Sequence, residues 1–288
     1  YGKLYRANRL AGLGYMVDEN IKNWDPFNEN NCFEAQNSFV KLAADVDEDI
    51  FTIIAPDVKC TDSEGKEVER DSSEDYINRN AYVYTYDTRY GNQNDSIQIE
   101  FVADEDMDLY IDARNSYAGV FSVFVDGELM GVDVTAYRRC TYHVGEVKKG
   151  QSIAMVSVIK EEIPIGMTAS NFFRFAKYDD APFAKAYEKL NRNVYEIEEM
   201  DSAHIKGSIT AEEDGVMMTS VQSGIGFDVY VDGNITECES IADTLIGVPL
   251  TKGDHVVEFK YVGLNPLYGK IVSACGVVLF IIMCLIYY

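Results

Sequence analysis

Histidines are the side chains best suited to proton transfer near neutral pH, and this sequence contains three that lie far apart. His143, His204 and His255 belong to no HExxH or comparable metal-binding pair. His255 has the same strand parity as Val257 and Phe259, which favours a structural role for it. The sequence also has no GxSxG nucleophile motif, no P-loop and no GxGxxG followed by a helix. We therefore predict no catalytic residue, no metal site and no cofactor in this chain.

Carboxylates are the other groups that could do chemistry, and the sequence has 48 of them against 25 lysines and arginines. Asp45, Asp47 and Asp49 alternate like calcium ligands. However, Ile50 and Pro56 stand where an EF-hand needs Gly and Glu, so a solvated acidic loop is favoured. A glycoside hydrolase pair stays open as an alternative, because such a pair is defined by its separation in space and leaves no motif in the sequence.

A row of three tyrosines is the candidate ligand-binding feature. Tyr82, Tyr84 and Tyr86 alternate with other residues, which places the three rings on one face of a β-strand. Such a row can stack against sugar rings, so we predict a glycan-binding surface here. The alternative is that the rings line the core or the rim of a β-sandwich, since tyrosine is common in strands.

Four cysteines precede the apolar C-terminal segment, and Cys275 and Cys284 lie within it. Their spacing includes no CxxC and no Cys-His cluster, so it predicts no zinc site. Disulfides would need an oxidising compartment, and the sequence does not choose between the three possible pairings of four cysteines. Free thiols are the default expectation for Cys32, Cys60, Cys140 and Cys238.

A sequence repeat indicates which elements position these residues. The segment FSVFVDG at 121–127 is matched by FDVYVDG at 227–233, and in each copy the alternating Phe, Val and Val share one strand face. The Asp-Gly pair permits the positive φ angles of a tight hairpin turn. Acidic turns at 103–106 and 211–214 and Lys-Gly pairs at 149–150 and 252–253 recur in the same order. We therefore predict a mainly β fold with two related, jelly-roll-like antiparallel β-sandwich modules.

The remaining segments connect and flank these modules. Phe183, Tyr187 and Leu190 recur at helical spacing after Pro182, which predicts a helix in the linker between the sandwiches. The predicted organisation is an opening segment with a short helix at 1–48, a first sandwich at 49–160, a linker at 161–202 with a helix near 181–192, a second sandwich at 203–264 and a transmembrane helix at 268–288.

The C-terminal segment at 271–288 carries no charged side chain. As a helix it covers about 27 Å, close to the ~30 Å hydrocarbon core of a bilayer. Lys270 can reach the near interface, and Tyr287 and Tyr288 suit the far one. A buried core helix is the alternative, but an unbroken apolar run has no polar face to present to water. We predict that 271–288 inserts in the lipid bilayer and that the second sandwich lies close to the membrane, because only residues 262–269 separate them.

The composition favours a folded and strongly charged ectodomain. The net charge is −23, while 47% of the residues are hydrophobic and 12% are aromatic, which is typical of a folded chain. So acidic a surface is repelled by nucleic acid and by anionic lipid headgroups, and we expect no nucleic-acid partner. The chain begins at Tyr1 and shows no signal peptide, so we expect it to be a fragment of a longer protein.

Several short motifs follow the same order as in a known family. They are LGYMV at 13–17, FEAQN at 33–37, FDVYVDG at 227–233, IGVPL at 246–250, KGDHVVEFKY at 252–261 and LYGK at 267–270. Along nearly its whole length the chain resembles the C-terminal part of the YfhO family of bacterial membrane proteins. Two departures are Gly-Phe at 226–227, where relatives usually carry a Trp, and Gly-Leu-Gly at 12–14 in place of Pro-Leu-Gly.

The resemblance implies a multi-spanning protein similar to integral-membrane glycosyltransferases that use lipid-phosphate sugars as donors. In such enzymes the catalytic acid lies in a loop between early membrane helices, so no residue of this chain inherits a catalytic role. The resemblance also implies that residues 1–267 lie on the extracytoplasmic face of the cell membrane.

The preferred interpretation is the non-catalytic, extracytoplasmic part of a membrane glycosyltransferase that acts on cell-wall polymers such as lipoteichoic acid. Its expected partners are the lipid bilayer, the membrane-embedded N-terminal part of the same protein and, as a candidate, a cell-wall glycan. The alternative is a membrane-tethered carbohydrate-binding or adhesion module without enzymatic activity.

Overall fold

A computed structural model describes residues 12–73, 80–87, 96–117, 119–130, 134–135, 140–159, 167–224, 226–263 and 266–287 of the chain. Only the backbone is described at residues 86, 87, 134, 135, 140 and 266–268. The described residues form antiparallel β-sheets with three α-helices, which confirms the predicted mainly β fold. The chain divides into two compact units, and each unit contains two sheets.

The elements of the described residues are numbered here in chain order. The strands are β1 (Gly14–Val17), β2 (Phe51–Ile54), β3 (Lys59–Asp62), β4 (Tyr82–Asp87), β5 (Ser96–Val102), β6 (Met107–Asn115), β7 (Gly119–Val125), β8 (Glu128–Leu129), β9 (Val134–Thr135), β10 (Cys140–Val147), β11 (Ser152–Ile159), β12 (Thr168–Tyr178), β13 (Glu196–Met200), β14 (His204–Ala211), β15 (Gly215–Gln222), β16 (Phe227–Val231), β17 (Asn234–Ile235), β18 (Glu239–Ile241), β19 (Leu245–Leu250) and β20 (Gly253–Tyr261). The helices are α1 (Cys32–Ala44), α2 (Asp180–Leu190) and α3 (Pro266–Tyr287), and a 3-10 helix spans Glu19–Asn23.

Sandwich I is the unit formed by Asp25–Lys41 and Val46–Ala184. One sheet has the strand order β10-β6-β12-β2, and β4 also pairs with β12. The other sheet has the order β3-β5-β11-β7-β8, and β9 also pairs with β7. Apolar side chains from both sheets meet in one buried core, and full burial of each large side chain contributes about 1.5–3 kcal/mol. The core members include Ile97, Leu109, Phe121, Met155, Phe173 and Phe175.

Helix α1 is attached to strand β2 of sandwich I. Asn31 caps the helix, because its Oδ1 accepts a hydrogen bond from the N–H of Phe33. Asn37 donates to the carbonyl of Phe51 and accepts hydrogen bonds from the N–H groups of Ile50 and Phe51. The rings of Phe33 and Phe51 lie 5.0 Å apart. The helix therefore holds the edge strand through both hydrogen bonds and apolar contact.

Sandwich II is the unit formed by Tyr1–Trp24, Leu42–Asp45 and Lys185–Tyr288. Its sheets have the strand orders β1-β15-β19-β18 and β13-β14-β20-β16-β17. Strand β1 pairs with β15 so that Met16 lies opposite Met217. On its other side, β1 is hydrogen-bonded to the segment before β13. The N–H of Met16 donates to the carbonyl of Asn193, and the N–H of Tyr195 donates to the carbonyl of Gly14. A strand from the start of the chain thus completes a sheet built from its second half.

The core of sandwich II contains apolar side chains from both sheets and one tyrosine from the segment before β13. Tyr195 is buried with its ring 6.2 Å from the ring of Phe259, and its hydroxyl donates to the carbonyl of Val257 at 2.7 Å. Gly207 lies beside this ring, and a Cβ atom there would come within 2.2 Å of the carbonyl oxygen of Glu196. The absence of a side chain at this position lets β13 and the tyrosine approach β14 closely.

The sequence repeat corresponds to a repeated hydrogen-bond arrangement at the two Asp-Gly turns. The four turn residues have positive φ angles: Asp126 49°, Gly127 80°, Asp232 51° and Gly233 82°. In sandwich I, Asp126 Oδ1 accepts the N–H of Ser152 at 2.9 Å. In sandwich II, Asp232 Oδ1 accepts the N–H of Val256 at 2.9 Å. Each aspartate therefore ties its turn to the neighbouring strand, β11 or β20.

Candidate functional site

The predicted tyrosine row lies on β4 of sandwich I. Tyr82 and Tyr84 are only 5% and 2% exposed, and their rings lie 5.4 Å and 6.4 Å from the rings of Phe175 and Phe173. Burial raises the pKa of both phenols. The side chain of Tyr86 lies outside the described part of the chain. Two of the three rings thus occupy the core, as the structural alternative expected, and glycan stacking by the row stays a prediction.

The three histidines lie on separate strands, each beside a carboxylate. The pairs and their N–O distances are His143–Asp108 at 2.6 Å, His204–Glu258 at 3.2 Å and His255–Asp232 at 2.8 Å. The first pair belongs to sandwich I and the other two to sandwich II. Among the described residues, no group of three or more His, Cys, Asp or Glu side chains is placed to hold a metal ion.

Five cysteine side chains are described, and all of them are free thiols: Cys32, Cys60, Cys238, Cys275 and Cys284. Burial raises the pKa of Cys32 and Cys238 to about 11 and the pKa of Cys60 to about 12. These three thiols stay protonated at neutral pH and are poor nucleophiles. The expectation of free thiols is confirmed for them, while the side chain of Cys140 lies outside the described residues.

A polar groove of about 640 Å³ opens in sandwich II. Its walls are the end of β1 with the following 3-10 helix, the turn between β14 and β15, and the C-terminal end of α2 with the residues after it. The charged lining residues are Asp18, Glu19, Lys189, Arg192, Glu212, Glu213 and Asp214. Asn20 and Asn193 add two amides. We call this feature the polar groove.

Local hydrogen bonds fix two carboxylates of the polar groove. Asp18 accepts the N–H of Asn20 at 2.9 Å, which caps the 3-10 helix. Asp214 Oδ1 accepts the N–H of Lys252 at 2.7 Å, which holds the turn between β14 and β15. Carboxylates outnumber cations in the lining, so the groove repels phosphate groups, whereas its carboxylates and amides can hydrogen-bond to neutral hydroxyls. Its residues come from three distant segments, so no sequence motif identified it.

A buried ion pair in sandwich I has no counterpart among the sequence predictions. Arg174 Nη1 lies 3.0 Å from Asp112 Oδ2, and the two side chains are 2% and 1% exposed. Arg174 Nη2 also donates to the carbonyl of Asn30, just before α1, at 3.3 Å. The Thr141 hydroxyl donates to the sulfur of Cys32 near the same point. The pair therefore links β6, β12 and the start of α1, and its role is structural.

Helix α3 is the described element that can attach the chain to a lipid bilayer. Residues Gly269–Tyr287 form a 19-residue helical span with a mean hydropathy of 2.5, and none of the span is buried. Among the described helices, this is the one that is long and apolar enough to cross a membrane. The apolar side chains on all sides of the helix need lipid or other membrane helices as their surroundings.

The sequence matches the family model described as bacterial membrane protein YfhO over residues 2–273. The chain belongs to the YfhO family. The match confirms the resemblance inferred from the short motifs. Together with α3, it makes this YfhO chain part of a membrane protein. The comparison with curated protein sequences gave no match.

Solved structures similar to this YfhO chain share little of its sequence. A family two carbohydrate esterase from Clostridium thermocellum is 14% identical, with a TM-score of 0.25 over 43% of this chain and 33% of the esterase chain. The PA14 sugar-binding domain from an RTX adhesin is 8% identical, with a TM-score of 0.22 over 44% and 94% of the two chains. The YfhO chain spans about a third of the esterase. Likenesses this weak carry no function over to it.

Proposed function

We propose that this YfhO chain is the extracytoplasmic, non-catalytic part of a multi-spanning membrane glycosyltransferase. The whole enzyme takes a sugar from a lipid-phosphate donor and transfers it to a cell-wall polymer such as lipoteichoic acid. The observation that carries the proposal is the family match over residues 2–273, since the resemblance implies a membrane enzyme of this kind. The apolar span Gly269–Tyr287 supports it, because it attaches the chain to the membrane in which such an enzyme works.

The polar groove is the proposed contact between sandwich II and the acceptor polymer. Its volume of about 640 Å³ lies within the range of small-molecule sites, so it can hold one or a few sugar units. Because its excess carboxylates repel phosphate, the groove favours the sugar substituents of a wall polymer over a phosphodiester backbone. Glu212 and Glu213 are exposed on the turn between β14 and β15, and they are proposed to accept hydrogen bonds from the sugar hydroxyls.

The test measures transfer of a radiolabelled sugar from a lipid-phosphate donor to lipoteichoic acid in membrane vesicles. The whole protein should transfer the label, and the 288-residue chain alone should not. In the whole protein, the double change Glu212→Gln and Glu213→Gln should raise the acceptor KM up to about tenfold with kcat unchanged, because binding hydrogen bonds are weakened. The matched control is Glu64→Gln on an exposed turn of sandwich I, which should leave both constants unchanged.

Two outcomes would overturn this proposal. Transfer by the 288-residue chain alone would show that it carries a catalytic site. Failure of the whole protein to use any lipid-phosphate sugar would remove the glycosyltransferase assignment. An unchanged KM in the double variant would remove only the role of the polar groove.

The proposed orientation has a separate test. We propose that residues 1–267 face the outside of the cell, as the resemblance implies. Glu128 is exposed on β8, so a Glu128→Cys variant should react with a membrane-impermeant maleimide in intact cells. The unsubstituted chain is the control, because it reports any reaction of the chain's own cysteines, of which Cys32, Cys60 and Cys238 have a raised pKa. Labelling that occurs only after cell lysis would indicate that these residues face the cytoplasm instead.

The second candidate function is a membrane-tethered carbohydrate-binding module without an enzyme, and the polar groove favours it. The test is a titration of the 288-residue chain in detergent micelles with cell-wall glycans. Loss of binding in Tyr86→Ala would assign it to the predicted tyrosine row. Loss of binding in the Glu212→Gln, Glu213→Gln variant would assign it to the groove instead. Absence of binding would remove this candidate. Tyr84→Ala is unsuitable, because it would disrupt the core.

A further inference from the structure

His255 in sandwich II has a hydrogen-bond acceptor at both ring nitrogens. Its Nδ1 lies 2.8 Å from Asp232 Oδ2, and its Nε2 lies 2.8 Å from the carbonyl oxygen of Thr251. A neutral imidazole has one N–H and can donate to only one of these oxygens, whereas an imidazolium donates to both. The side chain is 11% exposed, so water has little room to satisfy the second nitrogen. The geometry therefore favours the protonated ring.

The charged groups around His255 also favour the protonated ring. Asp232 faces it from the turn between β16 and β17, and Asp254 adjoins it on β20. Asp254 is itself held by the hydroxyl of Thr210 on β14 at 2.6 Å. Partial burial lowers the pKa of His255, but the bonds to Asp232 and Thr251 and the two negative charges offset it, so the pKa lies above its ordinary value of 6.5.

Gln151 holds the equivalent position in sandwich I. Ile153 on β11 pairs with Val125, and Val257 on β20 pairs with Val231, the equivalent residue of the repeat. Gln151 lies two residues before Ile153, and His255 lies two residues before Val257. Gln151 Nε2 donates to Asp126 Oδ2 at 2.9 Å, just as His255 contacts Asp232. The amide does not titrate, so this contact is independent of pH.

We propose that His255 is a proton-dependent clamp on the Asp232-Gly233 turn of sandwich II, and that Gln151 is its proton-independent counterpart in sandwich I. The protonated ring joins this turn to the residue that follows β19. Because the folded-state pKa is raised, the clamp contributes fully below the unfolded pKa of about 6.5 and is lost as the pH rises through the folded pKa. Sandwich II therefore loosens around this turn above neutral pH, while the equivalent turn of sandwich I does not.

The test exchanges the two residues in the full 288-residue chain held in detergent micelles. His255→Gln should make the unfolding midpoint in urea less dependent on pH above about pH 6.5, the interval in which the clamp is lost. Gln151→His should add a new loss of stability over the same interval. His204→Gln is the matched control, since this histidine is on a neighbouring strand of the same sheet and contacts a different carboxylate, Glu258.

An NMR titration of the histidine rings gives an independent readout that does not depend on the exchange variants. In a chain with both His143→Gln and His204→Gln, the remaining ring signal should titrate with a midpoint above 6.5. A midpoint at or below 6.5 would overturn the proposal. A stability that falls with pH equally in the unsubstituted chain and in His255→Gln would also overturn it.

Discussion

In one sheet of each sandwich, three neighbouring strands have the same order, but one of the three positions is filled from a different part of the chain. In sandwich I, β6 lies between β10 and β12, and β12 is the strand after β11. In sandwich II, β15 lies between β19 and β1, so β1 takes the position that β12 has in sandwich I. After β20 the chain continues into α3 instead of forming another strand of this sheet. The comparison teaches that the sheet needs a strand at this position, whereas the order in which the chain supplies it is free.

The two cores likewise obtain one aromatic ring from different segments of the chain. Phe101 on β5 lies opposite Ile153, and Gly207 on β14 lies opposite the equivalent Val257. The phenylalanine ring of sandwich I therefore has no counterpart on β14. Tyr195, which comes from the segment before β13, places its ring beside Gly207 instead. Core volume is conserved because close packing demands it, even when another segment provides the side chain.

The two sandwiches differ most in buried charge. Of the described residues, Arg174 and Asp112 are the fully buried charged pair, and both belong to sandwich I. Arg174→Ala should destabilise sandwich I by about 3–5 kcal/mol, because the Asp112 carboxylate would be left buried without its counterion. Urea unfolding followed by circular dichroism measures the loss.

Arg114→Ala is the matched control for this prediction, since Arg114 is exposed on the same strand as Asp112. It lies 5.2 Å from the ring centroid of Phe172, and losing this cation–π contact should cost at most about 1 kcal/mol. Equal losses in Arg174→Ala and Arg114→Ala would contradict the view that burial makes the first pair essential.

The next largest effect concerns Gly207, the position where the two cores differ. Gly207→Ala should destabilise sandwich II by about 3 kcal/mol, at the upper end of overpacking costs, because the new methyl group meets the backbone of Glu196. Thermal unfolding measures the change. Ser208→Ala, on the other face of β14, is the control and should be nearly neutral. A stable Gly207→Ala protein would indicate that β13 and Tyr195 can shift away from β14.

The smallest predicted effect tests what the two sandwiches share. Gly127 and Gly233 have φ angles of 80° and 82°, and a Cβ atom at either position would meet nothing within 4 Å. Gly127→Ala and Gly233→Ala should therefore each cost about 1–2 kcal/mol, from backbone strain alone. Unfolding midpoints of the two variants should shift by similar amounts, and a clear inequality would show that the two turns are not equivalent.

The parts of the fold that were predictable are those with local signals. The hairpins at 121–127 and 227–233 combine alternating apolar residues with an Asp-Gly turn, so pattern and turn chemistry agree. Strand β12 lies in the interval assigned to the linker and lacks clear alternation, because both of its faces contain buried residues. Strand β1 has only four residues and is defined by a distant partner, β15.

The candidate site was less predictable than the fold, for physical reasons that the tyrosines illustrate. Their alternation on β4 is correct for Tyr82 and Tyr84, which share one strand face, but strand parity does not say whether that face points to solvent or to the core. Likewise, Asp112 and Arg174 have the sequence pattern of surface residues and are buried because the start of α1 covers them. Both outcomes depend on tertiary packing.

The pairing of β1 with β15 has a consequence for how the chain is made. Gly14 pairs with Thr219, so all of the residues of sandwich I emerge from the ribosome between these two strands. Closing a loop of roughly two hundred flexible residues is entropically costly, and contacts this distant in sequence slow folding. If sandwich I folds first, it shortens this loop. Strand β1 then remains an unpaired edge, open to pairing with other chains or to binding by a chaperone, until translation delivers its partner β15.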